Sequence, residues 1–307
     1  MIWRTLPLLG ALLCTGCALL PEIAHQPTLH NPFPQLSKVA VAPFFNLSTE
    51  PTLDGRRFSL AYANELQQVP GFEVVPVGTV EQAMKDLNLK MTGPEDARKL
   101  GKELGVDAVV IGAVTDYTPY YPPRCSLQVE WYATNEGFHP IPPGYGLPWG
   151  TPEEEHIPGP LVFEAEMALA KAQLDTQTPN CQPTSAEPTP NGGATGPVTG
   201  AGLPPQWPDP RGFIPPPPKA RPEPCWPQPG PVMRHTQAYN GNDSKFTEAL
   251  ASYYYFQDDA RFGGWQNYLQ RSDDFIRFCC RMHIWEMLSA RGGAGETRVV
   301  WRWPTIR

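Results

Sequence analysis

Cys279, Cys280 and His283 fall within one turn of a C-terminal stretch with helical spacing, so a thiol and an imidazole could share a face there. Such a pair could ligate a metal ion or, once the thiol ionises, make a nucleophile. A tetrahedral metal site needs further ligands, and no second Cys/His pair at metal spacing occurs in the chain, so the two cysteines read as small buried hydrophobes. Glu153-Glu154-Glu155-His156 could hold a divalent cation, but a short acidic run of this kind is ordinarily a solvated loop. His139 and His235 lie scattered among polar and proline-rich sequence and read as loop residues. Asp258-Asp259 with Arg261, and Arg271-Ser272-Asp273-Asp274, read as helix caps and surface ion pairs; the second lacks the oxygen spacing of a calcium loop. There is no G-x-S-x-G elbow, phosphate loop or H-E-x-x-H. The expectation is a protein that is not an enzyme, with no catalytic residue, metal site or cofactor.

Aromatic side chains are the other class that could carry function. Tyr117, Tyr120 and Tyr121 lead into Pro122-Pro123, while Trp149, Trp207 and Trp226 lie in proline-rich sequence further on. Exposed rings beside prolines can anchor a partner protein or stack on a cell-wall glycan, and the plain alternative is that they fold back onto the domain. Net charge excludes another class of partner: at −7 over 307 residues, with no cluster of Lys and Arg interleaved with aromatics, nucleic acid is not expected.

The N-terminus supplies the address. Arg4, the apolar stretch Leu6 to Leu13, and the small residues Thr15 and Gly16 precede Cys17, in the order of a processed export signal. The apolar stretch is too short to span a bilayer, which takes about 20 residues. This segment resembles the processing site of bacterial lipoproteins, which implies cleavage before Cys17, a signal peptide over 1–16, palmitate and diacylglyceryl on Cys17, and a lipid bilayer as the first partner. Cys14 stands where Leu is usual and is the lesser candidate; an ordinary cleaved secretory signal is the alternative. Ala18 after the cysteine implies the outer membrane, with the protein facing the periplasm. Of the seven cysteines, Cys125, Cys181, Cys225, Cys279 and Cys280 would remain, enough for two disulfides whose pairing the sequence leaves open.

Elements follow from periodicity. Residues 135–232 hold 25 of the 39 prolines, which splits the ordered sequence into two blocks. In the first, Lys38 to Phe45 reads as a buried strand, Asp54 to Val69 as an amphipathic helix with Phe58, Ala61, Tyr62, Leu66 and Val69 inward, and Phe72 to Val77 as a strand. Val80, Ala83, Met84 and Leu87 mark a second helix. Pro94 opens a third, which Gly105 ends, before the β-prone run Val106 to Tyr117. Leu127, Val129, Trp131 and Ala133 alternate with polar residues, as do Phe163, Ala165, Met167 and Leu169 with Glu164 and Glu166; together these predict one antiparallel hairpin with an enlarged loop. The second block carries helices on Phe246 to Tyr254 and on Ser272, as N-cap, to Met282, then an edge strand at Val299, Trp301 and Trp303.

The expected fold class is α/β: a mixed sheet with flanking helices, an antiparallel hairpin, a long Pro-rich disordered insertion and a C-terminal helical block. Expected boundaries are 17–35 for a tether, 36–174 for the αβ domain with its Pro-rich hairpin loop at 135–160, 175–231 for the insertion, and 232–307 for the helical block packing on the αβ domain. The insertion would lose roughly 1 to 2 kcal/mol of chain entropy per ordered residue with almost no burial to offset it.

KVAVAPFFNLSTEP at Lys38 to Pro51 and LGKELGVDAVVIGAVTDY at Leu100 to Tyr117 resemble the superfamily of the curli secretion-channel subunit, the outer-membrane lipoprotein activators of penicillin-binding proteins and the N-terminal domain of the Tol-system β-propeller protein. The matching residues are Pro43, Phe44, Asn46, Gly105, Asp107, Ala108 and Gly112, and the likeness spans residues 36–134 with a strand return at 161–174. It implies a fold and, from the superfamily's members, a membrane-anchored binding, scaffold or regulatory module of the cell envelope whose protein partner the motifs do not identify. The alternative within the resemblance is a subunit of an oligomeric outer-membrane secretion channel. A third reading, a hydrolase of envelope glycan or peptide, lacks its motifs.

Overall fold

Val39 and Val41 on one side of a short strand, and Ala40 and Ala42 on the other, are all buried, as a strand covered by helices on both faces requires. The strand belongs to the main sheet in a computed structural model that describes residues 22–26, 28–177, 230–257, 259, 261–295 and 298–302. The strands are β1 (Glu22–Gln26), β2 (Lys38–Val41), β3 (Phe45–Asn46), β4 (Glu73–Val75), β5 (Ala108–Thr118), β6 (Arg124–Ala133), β7 (Met233–Asn240) and β8 (Arg298–Arg302). The helices are α1 (Gly55–Gln67), α2 (Val77–Asp86), α3 (Pro94–Leu104), α4 (Gly159–Gln177), α5 (Ser244–Phe256), α6 (Gln266–Gln270) and α7 (Ser272–Ser289). Chain contacts separate one unit, Met1–Lys171 with Gln228–Arg307, from a second, Ala172–Pro227, of which only the end of α4 is described.

The main sheet runs β4-β2-β5-β6-β7, with β3 also pairing β5. β2 is parallel to β4 and β5, whereas β6 is antiparallel to both β5 and β7. One face carries the larger core, in which Phe58, Tyr62 and Leu66 of α1 and Phe275, Phe278 and Ile284 of α7 pack over Leu127, Val129 and Trp131. The other face is a smaller cluster of Val80, Ala97 and Leu100 from α2 and α3 over Ala40, Ala42 and Val109. This mixed α/β architecture is the expected class.

The residues that carry the superfamily resemblance are builders of this frame. Gly105 ends α3 in the left-handed conformation, φ 59°. Asp107 accepts hydrogen bonds from the backbone N–H groups of Ser37 (3.1 Å) and Lys38 (2.8 Å), tying the starts of β2 and β5. At Gly112 a Cβ would lie 2.4 Å from the Phe44 ring, so glycine is the seat on which that ring rests. Asn46 folds the turn after β3, accepting from Ser48 N–H and donating to Glu50 O.

Five expectations are corrected. Phe163 to Leu169 lie in α4, not in a strand, so residues 135–160 are not a hairpin loop. The alternation misled because Ala, Glu, Met, Leu and Lys, which fill this stretch, are strong helix formers with little β-branching. The place beside β6 belongs instead to β7, so the block after Val232 begins with a strand inside the main sheet rather than as a helical layer. The tether does not extend to residue 35: β1 occupies Glu22–Gln26, and Leu29, Phe33 and Leu36 are buried in the larger core. β8 is a strand as expected, but it pairs β1 in a separate antiparallel ribbon instead of edging the main sheet. Ser272 is the first helical residue of α7 and gives no side-chain cap. Residues 178–229 of the expected insertion, with Cys181, Cys225, Trp207 and Trp226, lie outside the described residues, as do Cys14 and Cys17.

Candidate functional site

β5 and β6 join through Pro119 to Pro123, and this hairpin tip carries the most exposed pair of adjacent aromatics among the described residues, Tyr120 at 76% and Tyr121 at 69%. Its base is fixed. Gly241 N–H donates to Pro123 O at 2.8 Å, and a Cβ on Gly241 would stand 2.8 Å from the Pro123 ring, so the turn after β7 closes against the tip. Tyr117, expected with the other two as an anchor, is instead buried: its ring meets Phe58 edge-on at 5.7 Å, and burial pushes its phenol up to about 12. It supports the tip from below. Leu47, whose N–H bonds Val114 O, adds exposed apolar surface beside the outer half of β5.

Trp149 lies in the segment that joins β6 to α4, in which Ile141 N–H donates to Val232 O and Val232 N–H in turn to Trp131 O of β6. It is 42% exposed, and its indole N–H donates to Gly144 O at 2.8 Å. Gly144 in turn bonds Ala290 O just past α7, and a Cβ on it would strike Ala165 of α4. Exposed Tyr145, Phe163 and Met167 lie on the same loop and helix. Of the predicted anchors among the described residues, Tyr120 and Tyr121 share the hairpin tip, Trp149 lies in the segment between β6 and α4, and Tyr117 is buried.

The candidate chemistry in α7 is closed off. Cys279, Cys280 and His283 are all fully buried; burial raises both thiols and, with His235 nearby, lowers the imidazole. Thiols held neutral make neither nucleophile nor metal ligand at neutral pH. His283 Nε2 lies 3.2 Å from His235 O, an acceptor only, so Nε2 carries the proton and Nδ1 faces the Tyr62 hydroxyl at 3.5 Å. His235 itself is half-buried, 3.4 Å from Glu286, which also accepts from Tyr239 at 2.7 Å. No group of three or more His, Cys, Asp or Glu placed to hold a metal occurs among the described residues. Glu153 to His156 form an exposed single turn in which Glu154 bonds Gly150 N–H. Arg261 joins Asp259 and Asp274 as a surface ion-pair network at the start of α7.

Two buried charges had no part in the sequence reading. Glu65, on the inner face of α1, pairs with Arg277 and Arg281 of α7 and accepts from Tyr253 of α5 at 3.2 Å, joining three helices. Its signal was present: Glu65 falls three residues after Tyr62 and seven after Phe58, a charge inside an apolar stripe. Arg291, just beyond α7, is buried with donors to Ile141 O (2.9 Å), Met287 O (2.9 Å) and Arg234 O (3.3 Å). No sequence pattern announces it.

No family model matches the chain, and no curated protein is similar enough to serve as a relative. Three solved structures are similar to part of the chain. The lipoprotein GNA1162 from Neisseria meningitidis is similar over 32% of this chain and 72% of its own, at 23% identity and a TM-score of 0.27. The C-terminal domain of LpoB from Escherichia coli matches over 32% and 73%, at 16% identity and TM-score 0.27. The PelC dodecamer from Paraburkholderia phytofirmans matches over 37% and 71%, at 17% identity and TM-score 0.22. Matches this partial carry no activity, partner or location to this chain.

Proposed function

We propose that this protein is a non-enzymatic lipoprotein of the cell envelope, anchored through acylated Cys17, that binds a protein partner through Tyr120 and Tyr121. The observation that carries the reading is the hairpin tip: two exposed tyrosines on a backbone held by β6, β7 and the Gly241 contact. A rigid turn presents rings with little side-chain entropy to lose on binding, which is what interface anchors require. The buried, neutral state of Cys279, Cys280 and His283 supports a binding role over a catalytic one. Membrane anchoring rests on the N-terminal signal, and no described helix is long and apolar enough to cross a bilayer. Since β1 begins five residues after Cys17, the chain between them reaches at most about 17 Å, so the acylated protein keeps its folded unit close to the membrane face.

Two measurements test this. Cys17→Ser is expected to abolish palmitate labelling and release the protein from the membrane fraction, while Cys14→Ser leaves both unchanged; labelling that follows Cys14 defeats the site assignment. For binding, intact cells are treated with an amine cross-linker, and captured proteins are identified by mass spectrometry for the wild type and for the double variant Tyr120→Ala, Tyr121→Ala. The variant is expected to lose the principal partner while its stability stays within about 0.5 kcal/mol, as for exposed residues generally. Equal capture by both proteins rules out the tip, and enrichment of wall glycan in place of a protein redirects the proposal to a glycan.

A further inference from the structure

Residues 159–171 of α4 present an apolar helix face that the described residues leave open. The inner side is settled: a Cβ on Gly144 would stand 2.5 Å from that of Ala165, and Leu161, Ala165 and Ala168 are half-buried. On the outer side, at spacings of four and three residues, stand Phe163, Met167 and Ala170, all exposed, the first two at 64% and 57%. By steps of about 100° around the axis, Glu166 and Lys171 flank this stripe. An apolar stripe between charges is the build of a helix that lies at an interface, and water gives Phe163 and Met167 nothing to pack on. Exposed Tyr145 and Trp149 sit beneath the helix, where Trp149 Cζ2 would be 3.8 Å from the same Cβ on Gly144.

What covers the stripe follows from where the chain enters the fold. Gly144 N–H donates to Ala290 O, and a Cβ on Gly292 would lie 2.4 Å from Gly146 O, so the loop beneath α4 rests on the chain just past α7. The entering chain rests on the same stretch: His30 N–H donates to Gly293 O, Leu29 pairs with Ala294, and the Phe33 ring lies 6.1 Å from that of Tyr145. Leu29 stands twelve residues after Cys17, so an acylated Cys17 is held within about 43 Å of this stretch. We propose that the outer stripe of α4 is a second membrane contact, with Phe163 and Met167 seated at the headgroup–acyl boundary of the bilayer that holds Cys17. Tyr145 and Trp149 supply rings of the kind favoured at that boundary. Glu153 to Glu155 lie exposed between Trp149 and α4, so this face offers no attraction to anionic headgroups, and apolar burial supplies the affinity. The tether raises the local concentration of the face at the membrane, so a contact too weak to hold free protein suffices. The proposal rests on the acylation of Cys17 in the proposed function and not on the partner of Tyr120 and Tyr121.

Two samples separate the contact from the anchor. The first is the full protein from the membrane fraction, reconstituted in phosphatidylcholine vesicles that contain a phospholipid with a diazirine on its acyl chain. The second is the chain from residue 17 carrying Cys17→Ser, with a hexahistidine tag in place of the signal, held on the same vesicles by a nickel-chelating lipid. After irradiation, tandem mass spectrometry is expected to find lipid adducts on residues 159–171 in both samples. Phe163→Gln with Met167→Gln is expected to lower that labelling by roughly three- to tenfold without moving the melting temperature, since burial of one such side chain carries about that weight. Adducts in the tagged sample alone uphold the contact and count against acylation instead. Equal labelling of variant and wild type overturns the proposal, as does the absence of adducts on 159–171 in both samples. Cross-links between two copies at α4, lost in the same variant, assign the face to a second copy and overturn it too.

Discussion

Replacing Arg291 with leucine is expected to destabilise the protein by about 2 to 4 kcal/mol, read as a shift of the urea midpoint without a change in slope. The guanidinium is buried, and its bonds run to three separate parts of the fold: Ile141 in the loop after β6, Met287 in the last turn of α7, and Arg234 in β7. Each carbonyl left without a donor costs about 1–3 kcal/mol when water cannot reach it. Against this, the buried cation is itself costly: burial brings Arg291 down to about 10 despite a favourable pull from Glu164, so removing the charge returns part of the loss. A fork of donors at the negative end of a helix is what offsets that cost, and a lysine cannot supply it. Arg291→Lys is therefore expected to recover less than half of the stability lost in Arg291→Leu. The loop carrying Trp149 should also exchange its amide hydrogens faster in the leucine variant, since Gly144 and Ile141 lose their fixed backing. A leucine variant within 0.5 kcal/mol of wild type shows that water or local rearrangement replaces the three bonds.

Which features could be read from sequence follows from how local their causes are. The Pro94 to Gly105 helix and the β5 run were legible because a proline at the start, a left-handed glycine at the end and a β-branched run act within a few residues. β6 was legible because one face is buried, so Leu127, Val129, Trp131 and Ala133 had to alternate with polar residues. Phe163 to Leu169 showed the same alternation with no partner strand to enforce it, and helix propensity prevailed. β7 went unread because its apolar residues are sparse: its pairing with β6 is decided by backbone hydrogen bonding across the insertion, which no local pattern encodes. The same limit applies to the candidate site. Tyr117, Tyr120 and Tyr121 look alike in sequence, and the difference arises only when the strand twists Tyr117 against Phe58 and leaves the other two past the last paired residue. Glu65 and Arg291 take their roles from helices and loops far away in the chain.

Acid is expected to weaken the protein through His283, and the direction follows from its burial. The ring is fully enclosed, packed beside His235 at 4.8 Å and Tyr62 at 5.8 Å between ring centres, and the charge of Arg291, just beyond its own helix, also disfavours its protonation. Desolvation, then the neighbouring His235, lowers its pKa well below the ordinary 6.5; the bond to His235 O pulls the other way but does not prevail. The folded protein therefore keeps the ring neutral while the unfolded chain takes up a proton below 6.5. Stability from this group is complete above pH 6.5 and declines as pH falls, levelling off only below the depressed folded value. At pH 5.5 the loss should be about 1.4 kcal/mol, one proton's linkage over one pH unit. His283→Gln isolates the effect, because a carboxamide N–H can still donate to His235 O but cannot titrate. Between pH 7.5 and 5.5 the unfolding free energy from denaturant titrations should fall by about that amount for the wild type and by less for the glutamine variant. Groups common to both proteins cancel in the comparison. An equal fall in both proteins assigns the acid sensitivity to another group and means that His283 gains its proton without unfolding.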